Sequence, residues 1–407
     1  MSKGSNSSGL RRYNERVLIT FLRKLGAASK FELSQLAQLT PQAVTRIVDD
    51  LEAAGLIRQQ GRRTGGLGQP ATLYCINPQG AYAIGANVGR RDLQLLLMDF
   101  GGEVIEKISH EFDVPDADFL LDKIHQGIKA LSVRLPAKQR ARLMGIGVAM
   151  PWFMGAWSQE LNMPPAVAAR WNSINFAAEV NARARLPVFF ENDCSAAAIA
   201  ELQFGEGVQI NNFIYGFIGT FIGGGLVLDG NLESGVHGNA GDLASMPVPP
   251  SRLDSAPSIS GPFETLMNRA SIYVLRRHLN KHGFAIKNIS ELNHFLPAAQ
   301  PYIDEWISDC ADALTFALFS ATSLLDVEAV VLDANLPRNL LERLVDKVGH
   351  NINHFTPKGI FIPRILCGKL GADARAIGGA LLPFYANFSP DKTVMLTGGV
   401  PKKILQS

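Results

Sequence analysis

At 407 residues the chain exceeds what one hydrophobic core ordinarily supports, so two or three folded units are expected. Hydrophobic content of 47% with 19% charged residues excludes extended disorder, and no run approaches the roughly 20 apolar residues that cross a bilayer, which excludes a helical membrane protein. The net charge of +2 is segregated: the first 70 residues hold eleven Lys and Arg against five Asp and Glu, a local +6 that leaves about −4 for the rest, as suits a polyanion-binding module joined to a domain with another task.

The opening MSKGSNSSG lacks the apolar core of a signal peptide, and a cytoplasmic location is expected. Residues 13–25 place Val17, Leu18, Phe21, Leu22 and Leu25 at helical spacing. Ser29 with Glu32 forms a capping-box pattern ahead of a second, shorter helix whose apolar stripe is Phe31, Leu33, Leu36 and Ala37. Thr40 and Pro41 then start a third helix, with Val44, Ile47, Val48 and Leu51 facing inward and Gly55 ending it. Its outward positions, Gln42, Thr45 and Arg46, carry side chains able to hydrogen-bond base edges or phosphates, and they are the candidate recognition residues. Strands at Leu56–Gln60 and Thr72–Ile76 flank the hairpin GRRTGGLGQPA, whose Arg62, Arg63 and Gln69 suit phosphate or minor-groove contact. Three helices and a hairpin could also be a packing module. Two capped helices followed by a basic hairpin, under a concentrated positive charge, favour DNA binding.

From Tyr82 the period changes. AYAIGANVG and DLQLLLMDFGGEVI read as paired strands, Phe119–Leu135 as a helix, MGIGVAMP as a buried strand and Asn175–Arg185 as a helix. PVFFENDCSAAAIAELQFG reads as strand, polar turn and Ala-rich helix, and NNFIYGFIGTFIGGGLVLDGNL as two apolar strands around a glycine loop. The last third is helical apart from the strand EAVVLDANL. Strands alternating with helices in two successive blocks predict a two-lobed α/β body with a cleft between lobes.

The junction GLGQPATLYCINPQGAYAIGANVG, then GIGVAMP, ENDCSAAAIAE, GTFIGGGLVLDG, GNAGDLAS and AIGGALLP, taken in order and spacing, resemble the ROK family of bacterial sugar-responsive repressors and sugar kinases. The resemblance implies an α/β fold: a winged helix-turn-helix over 1–79, as in the repressor branch, followed by an actin-like, ribonuclease H-like body. Its first lobe would span 80–195, with 380–407 packing back on it, and its second lobe, 196–379, would carry the ligand cleft and dimerisation surface.

Where the family's phosphate turn carries an acidic residue in a DxGxT-like pattern, this chain has Asn87, Val88, Gly89, Arg90 and Arg91. Losing the carboxylate and gaining two bulky cations argues against magnesium-ATP. The glycine loop Gly219–Gly225 persists with Phe221 in place of a small residue, either as a ligand loop or as a tight bend. Asp193 matches the family's catalytic base, with Asn192 beside it as a hydroxyl partner; the same pair suits a helix cap. Asp242 and Ser245 stand where the family has Glu and His, and the cysteines of its structural zinc site are missing: Cys75, Cys194, Cys310 and Cys367 lie far apart and His237 is alone. Asp333 and Ala334 replace a glycine pair that helps admit adenosine. The resemblance with these departures implies no zinc and no ATP, and a ligand set of Asn192, Asp193, Asp242 and Ser245. The expected protein is a homodimer, or dimer of dimers, that binds a double-stranded operator and senses a sugar or sugar derivative without catalysis. The rivals are an active sugar kinase with an added head and a regulator answering a protein partner.

Overall fold

The computed structural model describes residues 7–63, 70–259, 261–286, 289–292, 297–354 and 358–390. The chain divides into two compact units, Met1–Asp193 with Ala376–Ser407, and Cys194–Arg375.

The first unit opens with α1 (Ser7–Leu25), β1 (Ala28–Ser29), α2 (Lys30–Ala37), α3 (Pro41–Ala53), β2 (Ile57–Arg63) and β3 (Ala71–Ile76), the strands forming an antiparallel sheet in the order β1-β3-β2. Leu18 and Leu22 of α1, Leu33 of α2, Val44 and Val48 of α3 and Ile57 of β2 meet in its core. Each contributes on the order of 2 kcal/mol by leaving water. This is a winged helix-turn-helix. The hairpin differs from its sequence reading: pairing continues through a bulge at Gly61, where φ of +123° suits glycine, so Arg62 and Arg63 lie in strand opposite Thr72 and Ala71.

A five-stranded sheet follows, built from β4 (Tyr82–Val88), β5 (Asp92–Asp99), β6 (Val104–Glu111), β7 (Leu143–Ala149) and β8 (Val188–Glu191) in the order β6-β5-β4-β7-β8. Short turns after β4 and β5 force antiparallel pairing. The intervening helices α4 (Ala117–Ser132), α5 (Ala137–Arg140), α6 (Pro165–Ser173) and α7 (Phe176–Arg183) carry the crossovers that make β7 and β8 parallel to β4. The helix expected over 119–135 starts earlier because Asp116 caps it, accepting from the Phe119 amide at 2.8 Å. The C-terminal helix Ala374–Phe388 lies against this sheet at backbone distance, since a Cβ on Gly85 would sit 2.4 Å from the Ala380 nitrogen and one on Gly147 1.9 Å from the Gly379 carbonyl oxygen.

The second unit repeats the pattern. Helix α8 (Asp193–Phe204) precedes β9 (Phe213–Ile218), β10 (Ile222–Leu228), β11 (Asn231–Glu233), the small pair β12 (Pro247–Val248) and β13 (Glu264–Thr265), α9 (Ile272–Lys281), α10 (Gln300–Leu325), β14 (Ala329–Ala334), α11 (Arg338–His354) and β15 (Arg364–Cys367). Its sheet order is β11-β10-β9-β14-β15, again antiparallel over the first three strands and parallel over the rest. Two sheets of one topology along a chain make an actin-like body. Phe213, Tyr215, Phe217, Val331 and the α8 face Ala197, Ala198 and Leu202 form the second core. The strands β11, β12, β13 and β15, two to four residues each, are too short for periodicity to reveal.

Candidate functional site

The reading head is set by local chemistry. Ser29 and Glu32 form a reciprocal capping box: the Glu32 amide donates to the Ser29 hydroxyl at 3.2 Å and the Ser29 amide to the Glu32 carboxylate at 2.8 Å. Helix α2 ends on Gln38 in the left-handed region, φ 52°, and this turn aims α3; sequence reasoning passed over it because the position is not glycine. Thr40 accepts from the Ala43 amide at 3.3 Å, Pro41 takes the first helical position, and Val44, Ile47, Val48 and Leu51 are buried. Gln42, Thr45 and Arg46 are thereby left on the exposed face of α3.

The acids of α3 are partly neutralised at home, Asp50 by Arg11 and Asp49 by Lys30. In the wing, Arg63 pairs with Glu32, whose carboxyl is held below its ordinary range by the Ser29 backbone N–H first, then the Ser29 hydroxyl and Arg63. Among the described residues Arg46 and Arg62 have no ion pair and are exposed. Gln69 lies outside the described residues.

The head is joined to the first unit's sheet by α1. Arg23 donates to the Phe100 carbonyl at 3.0 Å with its guanidinium 5.0 Å from the Phe100 ring centre, and burial lowers its pKa to about 10. Phe100 in turn packs on Phe384 and Phe388 at 5.3 and 4.8 Å, and Arg16 donates to the Ser389 carbonyl at 2.9 Å. Sequence reasoning counted these arginines as head charge.

Asn192 and Asp193 lie in the first unit, between β8 and α8. Asp193 is buried and opens α8, its amide donating to the Met150 carbonyl at 3.3 Å. The Asn192 amide donates to Glu191 Oε1 at 2.8 Å. Glu191, assigned no role from sequence, is buried, and desolvation pushes its pKa up to about 7 against the pull of that bond. Three polar residues directly after an apolar strand were the available signal. Asp242 and Ser245 lie in the second unit on one short turn, where the Ser245 hydroxyl donates to Asp242 Oδ2 at 2.7 Å and Asn239 Nδ2 donates to the same oxygen at 3.4 Å.

The segments that the resemblance aligns with a nucleotide site make contacts within their own units. Asn87 is fully buried with neither amide atom hydrogen-bonded, Gly89 closes a tight turn onto the Asp92 carbonyl at 2.8 Å, and Arg91 donates to the Asp113 carbonyl at 3.1 Å. In the second unit the loop 219–221 is a hairpin whose Gly219 and Thr220 carbonyls accept from the first amides of α9, Ile272 and Tyr273, at 3.0 and 3.1 Å. Phe221 packs on the Tyr273 ring at 5.8 Å. The following glycines serve close approach, because a Cβ would sit 2.5 Å from Cys194 Sγ at Gly223, 2.4 Å from the Gly241 carbonyl at Gly224 and 2.8 Å from the Ala198 Cβ at Gly225. Asp333 is buried and turned inward, accepting from the amides of Ala334 and Gly371 at 2.9 and 2.8 Å, with its pKa raised by burial to about 6.

No helix among the described residues is long and apolar enough to cross a membrane. The ROK family model matches residues 83–384. A protein of Sinorhizobium fredii named y4fQ is 27% identical over 92% of this chain and 91% of its own length. The xylose repressor of Bacillus spizizenii is 28% identical over 59% of this chain and 61% of the repressor, so the chain spans about three fifths of that relative. Among solved structures, a ROK family transcriptional regulator, a homologue of the E. coli MLC protein, superimposes with a TM-score of 0.68 at 20% identity, covering 96% of this chain and all of that one, which is likeness of fold. With the family match running across both sheets of the body, the chain belongs to the ROK family.

Proposed function

We propose that this protein is a DNA-binding transcription regulator, acting as a repressor of carbohydrate genes, whose ROK body binds a sugar or sugar derivative and performs no phosphoryl transfer. The observation that carries the reading is one chain holding a recognition helix with Gln42, Thr45 and Arg46 exposed, a wing with Arg62 exposed, and a ROK body. The name of the Bacillus relative supports it. Asn192 and Asp193 in the first unit are candidate sugar contacts, and Asp242 with Ser245 in the second unit is a further candidate pair. The body needs no metal or nucleotide for this role. The protein binds its operator as a homodimer, so the site is a near-palindrome.

Selection from random duplexes, followed by anisotropy on the selected site, tests the head. The expected outcome is a palindromic site whose binding is weakened by about 1–3 kcal/mol per recognition contact in Arg46→Ala. Absence of any selected duplex overturns the reading. The kinase alternative draws on Asp193, which the sequence resemblance matches to the family's catalytic base. Sugar-dependent ATP turnover abolished by Asp193→Asn would establish it in place of a sensor.

A further inference from the structure

The chain has an HxxxH spacing at the end of α9 that the functional reading does not use. We propose that His278, His282 and Asp254, all in the second unit, form a binding site for a transition-metal dication with the preferences of zinc, with Glu305 as its positioning carboxylate.

The geometry is specific. One turn apart, His278 within α9 and His282 capping its C-terminus, the two histidines bring nitrogens to a single oxygen: Asp254 Oδ1 lies 3.6 Å from His278 Nδ1 and 3.2 Å from His282 Nε2. One donor atom from each of the three residues falls within 4.8 Å of the others. Tetrahedral zinc with bonds near 2.1 Å separates its donors by about 3.4 Å, so these contacts already stand close to a coordination polyhedron. Today the space is spanned by hydrogen bonds, His282 to Asp254 and His278 Nδ1 to the Ser255 hydroxyl at 3.0 Å, which a cation would replace.

Outside the cluster each donor is oriented. His278 is wholly buried and its other nitrogen, Nε2, faces Glu305 at 3.0 Å. A carboxylate there holds the proton on Nε2 and leaves Nδ1 as the free acceptor, now taking the Ser255 hydroxyl at 3.0 Å with Asp254 Oδ1 at 3.6 Å, the tautomer in which imidazoles ligate metals. His282 lies flat on the Tyr302 ring, centroids 4.0 Å apart and planes 16° apart. The loop carrying Asp254 is anchored from below: Asp309, buried and paired with Arg269 at 2.7 Å, accepts from the Ser251 hydroxyl at 2.9 Å and the Arg252 amide at 3.0 Å. Lys281 takes the other Asp254 oxygen at 3.1 Å, leaving Oδ1 for the cation while adding one opposing charge. The site closes the C-terminal turn of α9, where unsatisfied carbonyls favour positive charge. Two imidazoles with one carboxylate select zinc over magnesium or calcium and leave a fourth position for water.

The test uses the full chain stripped with a chelator and titrated with Zn2+ against a chromophoric indicator, with Co2+ as a visible reporter. One zinc per chain, a tetrahedral cobalt band, and affinity weakened tenfold or more in both His282→Gln and Asp254→Asn are expected. These two positions reach the surface, so circular dichroism should match the parent. Glu305→Gln should lower affinity about 10–100-fold with the cobalt band retained. No stoichiometric uptake, or uptake unchanged in both ligand variants, overturns the proposal.

Discussion

Replacing each wing arginine in turn separates a charge that can reach DNA from one already committed. A protein cation that neutralises one phosphate releases about 0.9 counterion, so each contact adds about 0.9 to the slope of log affinity against log salt. In the proposed two-fold dimer Arg62 contributes twice, so Arg62→Ala should flatten the slope by about 1.8. Between about 50 and 200 mM salt, log concentration changes by about 0.6, and the parent should lose about 12-fold more affinity than the variant. Arg63 starts from a different state, paired with Glu32 across from the α2 capping box. To meet a phosphate it must give up an exposed pair worth about 0.2–1 kcal/mol and leave an anion facing the duplex, so Arg63→Ala should flatten the slope by less. Anisotropy of a labelled operator over a salt series reads both. An Arg62→Ala slope equal to the parent's, or equal changes at the two positions, refutes the assignment of the wing.

Three further outcomes test the body. Gly147→Ala places a Cβ 1.9 Å from the Gly379 carbonyl oxygen, backbone against backbone, and should lower stability by about 3 kcal/mol in urea unfolding; a loss under about 1 kcal/mol would mean the helix moves aside freely. Glu191, with its folded pKa raised to about 7, binds more protons folded than unfolded between its ordinary pKa and that value, so stability falls as pH rises through this window. Glu191→Gln should therefore gain up to about 3 kcal/mol above pH 7 and little near pH 4, and a flat difference between parent and variant across pH would show that Glu191 ionises freely. Asp309→Ala strands the buried Arg269 and should cost about 3–5 kcal/mol, whereas Arg269→Met with Asp309→Leu restores only part, because the Arg252 amide and Ser251 hydroxyl still lose their acceptor; full recovery in melting curves would contradict that accounting.

What was legible in the sequence was whatever local chemistry dictates. Ser29, Glu32, Thr40 and Pro41 announce two helix starts because caps satisfy orphan amides within four residues, and the buried Val44, Ile47, Val48 and Leu51 follow from helical period alone. The exposed recognition face is their complement. Less legible was whatever depends on partners distant in sequence. Arg63 looked like a free wing charge until pairing through the Gly61 bulge brought it to Glu32, and Arg23 looked like head charge until Phe100 covered it. Glu191 gained its character from burial, which no spacing encodes, and the short strands β11 and β15 exist by pairing with β10 and β14.

The glycine-rich loop shows why a motif underdetermines chemistry. A run of glycines is required wherever backbone must approach something closely, and a phosphate and a neighbouring backbone impose the same requirement. At Gly223, Gly224 and Gly225 the close neighbours are Cys194, Gly241 and Ala198, so packing alone demands the glycines. The loop's Gly219 and Thr220 carbonyls already accept from α9. The glycines thus hold the second unit's sheet against α8 and the 241 turn whether or not a nucleotide binds. Asn87 is buried with its amide unbonded, and Asp333 is a carboxylate turned onto backbone amides of its own unit. Packing therefore accounts for the glycine run in a binder and in a kinase alike, and the run by itself decides for neither.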